Sequence, residues 1–411
     1  MPLFRRSFLM RAGVALFGLG VAPHFLSRAL AATGGDPKKS LVVLFMRGGA
    51  DGLSLVPPHG DANYYRMRPT LALPPPGQTD GVLALDTHFG LHPALAELLP
   101  CWNAGTLALV HGVGMPHGTR SHFDAQDFLE TGTPGLKSTA DGWLNRSLSA
   151  LSGADTSAFA AVALQPTLPR SLVGAAPALS MGALRDFKLQ ARGTEGGRSF
   201  TELYSGSVDS ALQRTGSEAL DALDMVASRK FANAPALHGA SYGKDALAQR
   251  LQDIARLIRG DVGLRIAATE VGGWDTHVNQ GGAAGQLANQ LKKLGAALAA
   301  FERDLGAKMA DVTVVAVTEF GRTVRENGNR GTDHGTGSLM LVLGGGVRGK
   351  RVLGGVPELR EEALFEGRDV PMAVDFRQAF WEVARAQLGL ASPAHIFPDF
   401  HPSSPLGLMG G

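Results

Sequence analysis

Five mostly apolar runs, each about as long as one β-strand, constrain the fold of this chain more than any other feature. They cover residues 40–46, 106–110, 264–271, 312–317 and 339–343. Runs of this kind suit strands that are buried on both faces, as in a parallel sheet. Segments with helical spacing of apolar residues separate the runs. The alternation predicts an α/β fold, a doubly wound and mostly parallel sheet with helices on both sides. The predicted helices cover residues 91–99, 122–130, 245–258 and 287–301.

The first 32 residues have the features of an export signal. Arg5 and Arg6 form a twin-arginine pair, an apolar run follows at 12–21, and small residues at 29–31 fit a cleavage site. The apolar run is too short to remain as a membrane anchor. We therefore expect a periplasmic or secreted protein that engages the twin-arginine (Tat) export machinery and has no permanent membrane span.

The remainder, residues 38–405, is interpreted as one domain. Its middle part, about residues 163–245, is less regular and rich in Gly, Ala and Ser. We interpret this part as an inserted, mostly helical cap that roofs a site at the edge of the sheet.

Composition excludes several classes of protein. A formal net charge of +2, with only 18% charged residues, gives no basic stripe for a nucleic acid and no acidic tail. The single cysteine, Cys101, excludes an internal disulfide and a cysteine-based zinc cluster. Neither charge nor composition specifies an oligomeric state.

Carboxylate and imidazole side chains lie on glycine-flanked turns near the ends of the predicted strands. Asp51 follows the first strand, Asp275 and His277 follow another, and Asp333 and His334 lie in a glycine-rich turn. Ligands of open α/β sheets bind at the carboxyl edge of the strands, and Asp with His is a ligand set for divalent metals. The pattern predicts one or two divalent ions, namely zinc, manganese or calcium.

Two groupings of these ligands follow from the spacing. Asp51, Asp333 and His334 form one predicted site, while Asp275 and His277 form a second. His395 or His401 is a candidate to complete the second site. Taken alone, each pair also fits a solvated turn; the shared position of the turns after buried strands favours the metal interpretation.

A hydroxyl and two guanidinium groups complete the predicted active site. Ser121 is a good N-cap, and a hydroxyl there faces unpaired amides and the positive end of the helix dipole. Ser121, or alternatively Thr119, is the candidate nucleophile. Arg120 and Arg322 are candidates to bind ester oxyanions, and Glu319 is a further candidate catalytic residue.

Other activities fit less well. The glycines at 344–346 lack both the phosphate-loop lysine and the dinucleotide spacing, and there is no Gly-x-Ser-x-Gly elbow. A serine esterase that uses Ser121 with a His and an Asp, and needs no metal, stays as a further alternative.

At these motifs the chain resembles DUF1501, a family of exported bacterial proteins in the alkaline phosphatase and sulfatase superfamily. The resemblance runs across nearly the whole mature chain and rests on residues 47–52, 120–124, 273–277, 319–323 and 332–335. It implies a three-layer α/β/α sandwich, alkaline phosphatase-like, with metals at the carboxyl edge of the sheet.

Within this resemblance, Asp51 matches the carboxylate after the first strand. Asp333 and His334 resemble the Asp-His-Gly pair of phosphatases and cofactor-independent phosphoglycerate mutases, where the pair directly follows a strand. Here Glu319 holds that place, and Asp333 comes fourteen residues later. The sulfatase signature Cys-x-Pro-x-Arg is missing, so a formylglycine nucleophile is not available.

The sequence therefore predicts an exported metal-dependent hydrolase of phosphate or sulfate esters, acting on a small-molecule or polymer substrate. The alternative is a non-catalytic periplasmic binding or assembly protein that retains the fold.

Overall fold

The structure is a computed structural model, and it describes residues 39–151, 157, 159–185 and 229–410. Helices and strands alternate along the described chain. The strands are β1 Ser40–Met46, β2 Leu83–Ala84, β3 Gly90–Leu91, β4 Leu107–Gly114, β5 Ala161–Leu164, β6 Leu179–Met181, β7 Ile266–Val271, β8 Val312–Val317, β9 Ser338–Gly344, β10 Arg351–Gly354 and β11 Val374–Asp375. The α-helices are α1 Gly52–Leu55, α2 Ala62–Met67, α3 Leu99–Asn103, α4 His122–Thr131, α5 Trp143–Ala150, α6 Arg229–Ala232, α7 Ala246–Arg259, α8 Gln286–Leu305 and α9 Phe376–Leu388.

One large sheet organises the molecule. Its strand order is β10-β4-β9-β8-β1-β7-β5-β6, with β11 also paired to β4. Every pairing in this sheet is parallel except those of β9, which is antiparallel to both β4 and β8. The carboxyl ends of the other strands therefore share one edge with the amino-terminal end of β9.

The sheet is covered by helices on both faces, because alternate residues of a strand point to opposite sides. On β1, Val42, Leu44 and Met46 join a core with α7 and α8. Leu41 and Val43 join a second core with α4, α5 and α9. The arrangement confirms the predicted α/β sandwich of three layers with a mostly parallel central sheet.

The predicted elements agree with the structure at their centres. The run at 312–317 is β8, and the helix predicted at 287–301 lies within α8, which is longer at both ends. The helix predicted at 245–258 is α7, which begins after Asp245 because that carboxylate accepts a hydrogen bond from the amide of Ala248. The segment predicted as a helix at 91–99 is a 3₁₀ helix instead, Pro93–Leu98.

Two predictions on chain organisation fall partly or wholly outside the described residues. The export signal at residues 1–32 lies outside them, as do residues 186–228 of the predicted cap. The beginning of the cap range contributes to the main sheet through β6. In the described part of the chain, no helix is long and apolar enough to cross a membrane.

Candidate metal centre

His122 reaches the carboxyl edge of the sheet as the first residue of α4. The connection from β4 ends at Ser121, which is the N-cap of α4 but makes no side-chain capping hydrogen bond. The Nδ1 atom of His122 lies 2.8 Å from Oε1 of Glu319, at the end of β8. Because Glu319 can only accept when ionised, this contact places a proton on Nδ1 and directs Nε2 away from the carboxylate.

Glu319 is held as an ionised group in a buried position. Its carboxylate accepts hydrogen bonds from Gln126 and from the backbone amides of Gly48 and Gly49. Burial alone would raise the pKa of Glu319, but the hydrogen bonds from His122 and Gln126 outweigh it and lower the pKa. Glu319 therefore acts on the site through His122 and has no exposed surface for a substrate.

His334 has the same arrangement with a backbone acceptor. Its Nδ1 lies 2.8 Å from the carbonyl oxygen of Arg120, which can only accept. The proton of the neutral ring is thus on Nδ1, and Nε2 carries the free lone pair. Burial, followed by the nearby charge of Arg322, lowers the pKa of His334 and so favours the neutral ring.

His277 is oriented by Asp333. Its Nδ1 lies 3.0 Å from Oδ1 of Asp333, and that carboxylate also accepts from Asn327 at 3.0 Å. Burial opposes ionisation of Asp333, but hydrogen bonds from Asn327 and His277 lower its pKa. The Nε2 atom of His277 lies 3.0 Å from Nε2 of His334, so the two rings meet at the same point.

Asp275 lies where the imidazoles meet, and Arg322 holds it there. Arg322 donates to Oδ1 of Asp275 at 2.5 Å. Although burial would raise the pKa of Asp275, the hydrogen bond and charge of Arg322 hold it at about 2. The backbone is packed closely here: a Cβ atom on Gly48, whose φ is +124°, would lie 2.8 Å from the amide nitrogen of Asp275. Only glycine fits at that position.

The donor atoms of four side chains converge. Oδ1 of Asp275 is 2.9 Å from Nε2 of His277 and 3.2 Å from Nε2 of His334. Nε2 of His122 is 3.4 Å from Oδ2 of Asp275. Ligands bound tetrahedrally to one zinc ion lie roughly 3.3 Å apart for bonds of about 2.0 Å. The spacing therefore fits side chains that share one ion.

Nε2 of His122 gives a direct test of this fit. The atom is buried and makes no hydrogen bond. A buried polar atom without a partner is costly and is rare in native proteins. A cation among these donors would satisfy the atom, so the residues present fit a divalent metal. In the described ranges, one group of His, Cys, Asp and Glu side chains has ligand atoms within 4.8 Å of one another, namely His122, Asp275 and His334.

The predicted ligands are thus brought together only in part. Asp275, His277 and His334, which were assigned to two different sites, lie in one cluster. Asp333, also a predicted ligand, instead accepts the hydrogen bond from Nδ1 of His277. Asp51 is placed elsewhere. It is 1% exposed, and both of its carboxylate oxygens accept hydrogen bonds from Arg68, at 2.6 and 3.0 Å.

The predicted anion-binding and nucleophilic groups lie around the cluster. Each guanidinium nitrogen of Arg322 donates to a protein acceptor, one of which is Asp275, so the group has no nitrogen without a protein partner. Arg120 pairs with the buried carboxylate of Asp369 at 2.7 Å and with the exposed Glu366. Ser121 is exposed, and Thr119 accepts a hydrogen bond from its amide.

The sequence prediction did not assign His122 to either metal site, although a signal was present. His122 follows directly after the predicted nucleophile Ser121 and heads a helix at the carboxyl edge, where the other candidate ligands lie. His395 and His401, the predicted late ligands, are exposed in the C-terminal segment and do not belong to the described group.

Comparisons with known proteins give a family and a structural likeness. No curated protein matches the chain by sequence. Among solved structures, the C-terminal periplasmic domain of EcEptC from Escherichia coli, in complex with zinc, is similar at 10% identity and a TM-score of 0.34, with coverage of 75% of this chain and 74% of that one. A likeness this weak carries no argument about the site. The family model with the description "Protein of unknown function (DUF1501)" matches residues 104–399, and the chain therefore belongs to the DUF1501 family.

Proposed function

We propose that this protein is an exported metal-dependent hydrolase of phosphate or sulfate esters. One observation carries the proposal. Three imidazoles give their Nδ1 protons to oxygen acceptors and direct Nε2 towards Asp275, and one of those Nε2 atoms is buried without a partner. Ligand histidines in metalloproteins are oriented in this way by hydrogen bonds from the opposite ring nitrogen.

His122, Asp275 and His334 would hold the ion, with His277 as a further donor beside them. Zinc and manganese suit this set of imidazole and carboxylate ligands better than calcium, which prefers oxygen ligands. When bound, such an ion polarises the ester oxygens and lowers the pKa of a nearby hydroxyl.

Ser121 is the proposed nucleophile. Its side chain leaves the first amides of α4 uncapped, so these amides and the helix dipole favour a phosphate or sulfate group at this position. The Ser121 oxygen would bond to phosphorus or sulfur while the bond from that atom to the ester's alcohol oxygen breaks, and the alcohol would leave with the serine proton. Water would then hydrolyse the seryl ester, which releases phosphate or sulfate and restores the hydroxyl. Arg120 stays a candidate to bind the oxyanion because it directly precedes Ser121, although its Nε and Nη2 atoms already donate to Asp369 and Glu366.

A second candidate, a non-catalytic periplasmic binding or assembly protein, is favoured by one observation. Arg322 has no free nitrogen to offer a substrate, so one of the two predicted anion binders is already engaged in the protein. In this case the metal would be structural.

Elemental analysis of the protein purified after export, without added metal, separates the two candidates. It should be combined with assays on aryl phosphate and aryl sulfate esters. Near-stoichiometric zinc or manganese and chelator-sensitive turnover are expected for the hydrolase. His122→Ala should lose the metal, while His401→Ala, an exposed histidine outside the cluster, should retain it. A folded protein with metal but no turnover would support the binding protein, and a metal-free, inactive protein would overturn the metal centre.

A further inference from the structure

Two buried threonines connect the ligand loops to one shared acceptor. Thr276 lies between Asp275 and His277, and Thr332 directly precedes Asp333. Their side chains are buried, and both hydroxyls donate to the same atom, Oε1 of Gln280, at 2.8 Å each. A backbone hydrogen bond from the Thr332 amide to the Thr276 carbonyl, at 3.2 Å, also joins the two loops.

The opposite end of Gln280 is anchored in the protein. Its Nε2 donates to Oδ2 of Asp51 at 2.7 Å and to Ser54 at 3.2 Å. The buried Arg68 holds the same Asp51 carboxylate and also donates to the carbonyl oxygens of residues 323 and 324. Because an ionised carboxylate only accepts, it fixes the amide nitrogen of Gln280 towards Asp51 and the amide oxygen towards the threonines.

We propose that Gln280 is a positioning residue for the metal centre, and that Asp51 acts through it rather than as a ligand. The inference rests on the proposed metal site. Asp275 and His277 stand on one loop, and Asp333 and His334 stand on the other. Gln280 sets the distance between these loops, and thereby the 3.0 Å separation between Nε2 of His277 and Nε2 of His334.

The buried, fully bonded state of Gln280 supports this role. Its side chain is 0% exposed, so it touches no substrate. Buried polar networks with every group satisfied hold a single geometry, whereas the loss of one partner leaves a buried group unpaired. Residues that hydrogen-bond metal ligands directly typically contribute 10–100-fold to metal affinity, and Gln280, which acts one residue further from the ligands, is expected at the lower end of that range.

Thr332→Val tests the inference, with Thr313→Val as the matched control. Thr313 is also buried and also donates to a glutamine oxygen, Oε1 of Gln387, at 3.0 Å, but it lies in the middle of the sheet on β8. Both substitutions remove one buried threonine–glutamine hydrogen bond, so both should lower the melting temperature to a similar extent. Only Thr332→Val should weaken zinc binding, on the order of tenfold.

The measurement is zinc titration of the full-length exported protein after removal of metal by a chelator, with the cobalt absorption spectrum as a report on ligand geometry. Thr332→Ser, which keeps the hydroxyl, should bind zinc like the wild type. Thr276→Val removes the other donor to Gln280 and gives a second variant if Thr332→Val does not fold.

The outcomes separate this inference from the proposed function. Wild-type protein that takes up no zinc or cobalt would overturn the metal centre and this inference with it. If the wild type binds zinc, and Thr332→Val and Thr276→Val have the same zinc affinity and cobalt spectrum as the wild type, only the role of Gln280 is overturned. Equal weakening in Thr313→Val would also overturn it, because the effect would then be a general loss of stability.

Discussion

The imidazole of His122 donates its Nδ1 proton to Glu319, 2.8 Å away, and its opposite nitrogen is left buried without a partner. The contact joins the start of α4 to the end of β8, so two separate elements determine the direction of one lone pair. Loss of the negative charge on Glu319 should therefore change the metal centre without removing a ligand.

Glu319→Gln should weaken zinc affinity by about 10–100-fold. The amide oxygen can still accept a hydrogen bond, but it carries no charge, so it polarises the neutral imidazole less and makes Nε2 of His122 a weaker metal ligand. Isothermal titration of metal-free protein measures the effect. Glu302→Gln is the control, because Glu302 also accepts from two side chains, Cys101 and Thr106, on the other side of the sheet. Equal zinc affinity in Glu319→Gln and wild type would contradict the assigned role.

Zinc affinity should rise with pH through the titration of His122. The hydrogen bond that His122 donates to Glu319 raises the pKa of His122, with burial acting in the opposite direction. A proton on Nε2 competes with the metal, so binding is weakened below the raised pKa and reaches its full strength above it. In Glu319→Gln the competing proton is held less tightly, and the midpoint of the affinity–pH curve should move to lower pH. A midpoint at the same pH in both proteins would contradict this reasoning.

Asp51→Asn should destabilise the protein by about 3–5 kcal/mol, because it leaves the buried charge of Arg68 uncompensated. Burial raises the pKa of Asp51, but Arg68 outweighs it and lowers the pKa below its ordinary value. The contribution of this ion pair is therefore present above the unfolded-state pKa of about 3.9 and is lost as the pH falls through the lower folded-state pKa.

The control for Asp51→Asn is Glu361→Gln, which breaks an ion pair with Arg325 whose two side chains are largely exposed. Exposed pairs contribute about 0–1 kcal/mol, so this variant should unfold close to the wild type in urea. A similar loss of unfolding free energy in both variants would show that the burial of Asp51 does not determine how much its ion pair contributes to stability.

The sequence predicted the sheet, the main helices and the edge of the candidate site, because strand-length apolar runs and the helical spacing of apolar residues are local signals. It did not predict the direction of β9. The run at 339–343 is equally apolar whichever way the strand points. Because β9 is antiparallel, the turn that carries Asp333 and His334 before it reaches the same edge as the turns that follow the other strands.

The candidate ligand set was harder to predict for a related reason. Sequence position shows which turn a side chain belongs to but not where the side chain points. Asp51 follows a strand as expected, yet a guanidinium contributed by Arg68, at the end of α2, takes its carboxylate away from the cluster. Pairings of this kind depend on contacts between distant segments, and one sequence does not reveal them.

His111, on β4, should make the metal-free protein less stable in mild acid. Its ring is fully buried, stacks on Phe89 and lies 2.8 Å from the carbonyl oxygen of Val56. Burial lowers the pKa of His111 from 6.5 to about 4. Between these values the unfolded chain binds a proton that the folded protein does not, so stability falls as the pH drops through this window. The loss of unfolding free energy from this group between pH 7 and pH 5 is about 2 kcal/mol.

Urea unfolding at both pH values, with a chelator present, measures this loss in wild type and in His111→Gln, which keeps a donor for Val56 but does not titrate. The difference in unfolding free energy between the two pH values should be smaller in His111→Gln by that amount. An equal pH dependence in both proteins would mean that other groups cause the acid sensitivity, because the wild type and the variant share every other titrating side chain.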